Sequence, residues 1–288
     1  MDLFDNIEKM WFGTERKMTW IDTPNTGAAA GSIGSNASTV LLGGGGSVRQ
    51  SVDSHKGYQF SWGESADQRL VSLMESYRNG SYGRGLLYFS DPMYYRTNVL
   101  PKRHADPSMA VNWEAEPLVR DVSPTAVPQV STENDYPVDA ASYPLPAGFS
   151  SQAESGELFI PIPPGFTLAL GAVFSGAGAV YVRTPAGITD LTPLGLADTN
   201  VANHLVTGQP WARIGLRNQG ATGSLIVGGM TARLAKTVTS DLLAGPWYAG
   251  EGHSGCRFDG DPTVVNYSGV AGGRIGLALN LKEVGAWE

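Results

Sequence analysis

A mainly β protein is what this sequence predicts, and three observations carry the expectation. Its 288 residues include 37 glycines and 18 prolines but only 16% charged residues, a balance that favours short strands and turns over long solvated helices. Apolar residues alternate with polar or small ones at Tyr58, Phe60 and Trp62, and again at Ile275, Leu277, Leu279 and Leu281, the period of a strand with one buried face. Only Leu70, Leu73, Met74 and Tyr77 recur at clear helical spacing. The expected architecture is an N-terminal β-sandwich with one flanking helix, followed by a C-terminal β-sandwich of jelly-roll type.

In chain order, residues 1–12 alternate acids with Leu3, Phe4, Ile7 and Trp11, which suits a short amphipathic helix or a docking arm. Residues 17–21 read as a strand closed by the turn Asp22-Thr23-Pro24-Asn25. Residues 26–38 are almost wholly small and bury too little apolar area to offset chain entropy, so a flexible loop is expected in the isolated subunit. Two short strands should flank the glycines at 43–46. A strand over 58–62 leads into a helix whose start is expected at a capping box, Ser65 with Gln68, and whose end is expected at Asn79-Gly80. The apolar run Leu86, Leu87, Tyr88 and Phe89 reads as a strand buried on both sides and stopped by Asp91-Pro92.

Between 118 and 154, Pro124, Pro128, Pro137, Pro144 and Pro146 recur among Ser, Thr and Asp, as in a stiff linker or a wrapped arm. The expected organisation is therefore an N-terminal domain over 1–117, a linker over 118–154 and a C-terminal sandwich over 155–288. In the last segment strands are expected over 157–162, 166–174, 179–183, 212–217, 224–234 and 274–282.

A net charge of −7 and the lack of a Lys/Arg cluster argue against binding nucleic acid. No apolar run approaches the length of a membrane span, and Asp2, Asp5 and Glu8 stand where a secretory signal would be basic. Cys256 is the sole cysteine, so neither an internal disulfide nor a thiolate metal cage is expected.

The segment Gly252-His253-Ser254-Gly255-Cys256 approaches a nucleophile elbow. It lacks the last glycine, a following helix and a downstream histidine, so a glycine-rich surface loop is expected instead. His253 and Cys256, with Asp259 and Asp261, have the spacing of partial metal sites, but His55, His104 and His204 lie in unrelated stretches and no metal or cofactor is expected. Glu114 with Glu116, or Glu251 with Asp259, are carboxylate pairs read as solvated rim charges. Trp247 and Tyr248 beside Glu251, His253 and Arg257 form the candidate ligand site, an aromatic platform with polar neighbours that suits a sugar or a subunit interface. No catalytic residue is assigned, and an enzyme is not expected.

Phe60-Ser61-Trp62, the helix ending at Tyr77-Arg78-Asn79-Gly80, the run Gly85 to Pro92 and Asn98-Val99-Leu100-Pro101 resemble the first domain of the distal tail proteins of long-tailed bacteriophages. The run from Gly250 through His253 and Phe258 to Asp261 is similar to minor tail proteins of phages that infect actinobacteria. This likeness is fair over 12–105, good near the C-terminus and thin between them. It implies a virion tail-tip component, made in the host cytoplasm, with no catalytic residues. Copies would form a homohexameric ring through the first domain and contact the tail tube protein and other tail-tip proteins. A second, often lectin-like sandwich would project outward, with host cell-wall glycan as a possible partner. The loop over 26–46 would pack on a neighbouring subunit or the tube.

Overall fold

The computed structural model describes residues 9–24, 30–32, 38–41, 47–50, 56–90, 97–111, 118–119, 122–128, 139–152, 156–191, 201–238, 247–250, 252–267 and 274–284. The strands begin with β1 (Lys9–Thr14), β2 (Lys17–Asp22), β3 (Ala30–Ser32), β4 (Ser38–Leu41), β5 (Ser47–Gln50) and β6 (Lys56–Ser61). Helix α1 (Gln68–Arg78), β7 (Leu87–Phe89) and the short α2 (Lys102–Ala105) follow. Next come β8 (Thr125–Pro128), β9 (Asp139–Leu145), β10 (Phe149–Ser150), β11 (Leu158–Pro161), β12 (Thr167–Gly176), β13 (Ala179–Thr184) and β14 (Gly187–Asp190). The chain closes with β15 (Val201–Val206), β16 (Trp211–Asn218), β17 (Gly223–Ala235), β18 (Cys256–Phe258), β19 (Thr263–Tyr267) and β20 (Arg274–Glu283). The fold is mainly β and multi-sheet, with one sheet curled into a half-barrel.

Two compact units divide the chain, one of residues 1–92 with 255–285 and the other of 93–254 with 286–288. This does not coincide with the expected segments. The closing strands belong with the N-terminal residues because β20 pairs with β6 through Leu279 opposite Phe60 and Leu281 opposite Tyr58. Part of the expected linker is strand instead: β9 pairs with β17, with Pro144 itself opposite Ser224.

In the first unit an antiparallel sheet runs β2-β1-β7-β18-β20-β6-β3, and β19 joins it through β20. Its core is aromatic. Phe89 stands edge-on to Tyr58, with centroids 4.9 Å apart, and to Phe60 at 5.2 Å, an arrangement that adds ring-quadrupole attraction to area burial. The expected stripe on α1 packs there: Leu70, Val71, Met74 and Tyr77 are buried and Leu73 is half-buried. The expected capping box does not form. Asp67 is the cap, its carboxylate accepting from the Leu70 amide at 2.7 Å, while Ser65 belongs to a separate 3-10 turn, Gly63–Ser65. Asn79 caps the far end, and Gly80, at φ +75°, takes the left-handed turn that releases the chain. Residues 9–12 are strand, not helix or arm, because Met10 and Phe12 point into the core opposite β2. Residues 1–8, most of the 26–38 loop, and Asp91 and Pro92 lie outside the described residues.

The second unit has two five-stranded antiparallel sheets. One has the order β15-β12-β17-β9-β8, and the other β10-β16-β13-β14 with β11 also on β16. In chain order β8 and β9 lie in the first, β10 and β11 in the second, β12 in the first and β13 and β14 in the second, after which β15, β16 and β17 alternate. Tyr181 pairs with Asp190, Leu168 with Val206, Leu158 with Ile214 and Leu145 with Gly223. In each pair the two positions are nearly equidistant in sequence from the turn between Thr184 and Gly187. These four pairings are thus nested about that turn, and Val180, Val182, Ala212, Ile214 and Leu216 are buried along one face of the second sheet.

Candidate functional site

The segment 247–254 is built onto the second unit by backbone contact. Asn98, fully buried, donates from Nδ2 to the carbonyls of Met230 (3.1 Å) and Tyr248 (2.9 Å), and its Oδ1 accepts from the amides of Leu100 and Ala232. Gly252 donates to the Leu100 carbonyl at 3.0 Å. A Cβ on Gly250 would stand 2.8 Å from that of Ala105, and one on Gly252 would overlap the Val99 carbonyl. The glycines of the Gly250–Gly255 motif are therefore accounted for by close packing. No helix follows Ser254; the chain enters β18 at Cys256.

Of the five candidate ligand residues, four fall in this segment and three of those are described. The Trp247 indole is half-buried and donates to the Ala105 carbonyl at 3.2 Å. Tyr248 is 46% exposed and has the Arg233 guanidinium 5.9 Å from its ring centre. His253 is buried. Arg257, exposed on β18, belongs to the other unit, and Glu251, like Glu114, Glu116 and His55, lies outside the described residues.

Titrating groups elsewhere are tuned by burial. Desolvation, followed by the Glu283 charge, holds the Cys256 thiol well above its ordinary range. Burial, then the adjacent Arg103, holds His104 well below its usual value and keeps it neutral. Asp261 forms an ion pair with Arg78, and Gly260 makes the turn between Asp259 and Asp261. Among the described residues no three His, Cys, Asp or Glu converge as a metal cage would require, and no described helix is long and apolar enough to cross a membrane.

A second polar cluster was not anticipated. On β16, Trp211, Arg213 and Arg217 alternate with buried Ala212, Ile214 and Leu216 and so share the outer face of the sheet. Arg183 on β13 pairs opposite Arg213, and Phe159 on β11 flanks it on the other side. Glu157, its side chain 4% exposed, takes the Arg183 guanidinium bidentately and the Tyr181 hydroxyl at 2.7 Å, with Arg213 at 3.9 Å. Burial works to raise the Glu157 carboxyl, but the hydrogen bonds from Arg183 and Tyr181 and the charges of Arg183 and Arg213 outweigh it and hold the pKa below the ordinary value. Gly215 makes this reach possible, since a Cβ there would stand 2.6 Å from the Tyr181 hydroxyl. The Arg213 guanidinium lies 5.4 Å from the Phe159 ring centre and 6.0 Å from that of Trp211, and Arg183 lies 5.7 Å from Trp211.

No protein-family model matches the chain, and neither a curated protein nor a solved structure shows a significant similarity to it.

Proposed function

We propose that this chain is a structural component of a long-tailed bacteriophage tail tip, a distal tail or minor tail protein. Its copies form a hexameric ring that joins the tail tube to the tip and the receptor-binding apparatus. The observation that carries the assembly reading is β19. Among the described strands it pairs only with β20, and Val264 and Val265, on opposite faces, are 40% and 45% exposed. An uncharged apolar strand with an open edge is a template for pairing with another chain unless it is protected. The tail identity is supported by the resemblance of the 60–101 motifs and of the 250–261 run. A jelly roll in the second unit, an arrangement used by capsid and lectin domains alike, is supported by the four pairings nested about the turn between Thr184 and Gly187.

The test is sedimentation of the full chain beside Val265→Lys, which places a charge on the open edge. This reading expects the parent to sediment as a defined oligomer and the variant as a monomer. A monomeric parent at micromolar concentration removes the ring.

A carbohydrate-binding protein is the second reading, favoured by the aromatic and arginine side chains on the outer face of the β16 sheet and by the exposed Tyr248.

A further inference from the structure

We infer that His104 is the trigger of an acid-opened latch in the second unit. Neutral, it holds α2 against the segment that carries Trp247, Tyr248 and Gly250; protonated, it releases that segment. This device goes beyond the tail-tip reading and does not depend on the ring.

The latch is made of contacts that converge on α2 and the residues just before it. The Trp247 indole donates to the Ala105 carbonyl at 3.2 Å, and Gly252 donates to the Leu100 carbonyl at 3.0 Å. A Cβ on Gly250 would strike the Leu100 carbonyl and the Ala105 side chain. Yet α2 has four residues and closes on itself only through the amides of His104, Ala105 and Asp106. So short a helix does not hold its own shape, because the first turn costs more chain entropy than its bonds return. Its place is set instead by what it buries, namely Arg103, His104 and Ala105.

The His104 imidazole is buried, and its Nδ1 accepts from Arg103 Nε at 3.4 Å. Accepting there requires the neutral tautomer with its proton on Nε2. A proton on Nδ1 removes that bond and sets a second positive charge against the guanidinium, where water screens little. Nearby elements carry further titratable groups. Asp106 directs its carboxylate to the Ser108 amide and hydroxyl, Tyr143 on β9 meets the Leu118 amide, and Arg233 on β17 is another cation, donating to the Thr97 carbonyl. Among the described residues, Arg103 is the charge that acts on His104, and it acts in the same direction as burial.

Burial, then Arg103, keeps the closed imidazole well below its ordinary value, whereas a released one returns to about 6.5. Opening therefore takes up a proton. The closed state is fully favoured above about pH 6.5 and loses ground as pH falls below it. Leu100 and Ala105, both fully buried when closed, then reach solvent, so acid presents apolar surface that neutral pH conceals.

The experiment is amide hydrogen exchange of the full-length chain from about pH 7.5 to about pH 5, corrected for the intrinsic pH dependence of exchange. We expect the amides of Ala105, Asp106 and Gly252 to exchange faster by about tenfold for each pH unit below about 6.5, with the β12 amides unchanged. His104→Asn sets an amide oxygen near the place of Nδ1 and cannot titrate, so the acceleration should vanish in it. Should that variant fail to fold, His104→Gln is read in its place. Acceleration that survives the substitution assigns the response to another group, such as the buried His253, and overturns the inference. Corrected exchange that stays flat with pH in the parent overturns it without any variant.

Discussion

Gly252 lies directly against the backbone of Val99, so close that a Cβ would overlap its carbonyl group. Packing of two loops, not exposure of a nucleophile, thus explains why this stretch is rich in glycine. Gly252→Ala should destabilise the chain by about 3 kcal/mol through forced backbone displacement. Urea denaturation reads the loss as a lowered midpoint, and an unchanged midpoint would contradict the close packing.

Asn98 uses its side-chain amide to join the 98–100 segment, β17 and the Tyr248 backbone. Asn98→Leu leaves several buried backbone groups without that partner, and a loss of about 3 kcal/mol or more is expected. The amides of Leu100 and Ala232 should then exchange hydrogen faster, which amide exchange mass spectrometry reads directly.

Glu157 links stability to pH. Its folded pKa is depressed, so its contribution is fully present above the ordinary carboxylate value of about 4.3 and is lost as pH falls through the lower folded value. Glu157→Gln should cost about 2 kcal/mol near neutrality by weakening the charge-assisted bonds from Arg183 and Tyr181. The gap between parent and variant should narrow progressively as pH falls below the ordinary carboxylate range, as urea titrations over a series of pH values would show.

Cys256 is fully buried, with its thiol pushed up by desolvation. It should resist a chromogenic disulfide reagent in the native state and react on denaturation, so its labelling rate reports opening of the first unit.

Local pattern was enough for much of the fold. Alternation in Tyr58, Phe60 and Trp62, the α1 stripe, the β20 face of Leu277, Leu279 and Leu281, and strands β11, β12, β13, β16 and β17 all lie where periodicity puts them, whereas β14 and β15 were not expected. Failures arose where a distant partner decides. Nothing near Leu279 says that it will face Phe60, so the closing strands looked like part of a C-terminal sandwich. Two acceptors, Ser65 and Asp67, compete to cap one helix, and only the geometry of the first turn selects Asp67. Pro144 suggested a linker, yet it lies beyond the stretch of β9 that pairs with β8 and so meets a ladder only on the β17 side. The arginine and tryptophan face was half legible: Trp211, Arg213 and Arg217 share a face by spacing on β16, but register alone brings Arg183 and Glu157 to them.

The central claim is that these surfaces exist to meet other copies of the chain. Negative-stain electron microscopy of the purified full-length protein tests it most directly. Closed rings of six subunits are predicted, and a field of isolated single-chain particles at micromolar concentration would contradict it.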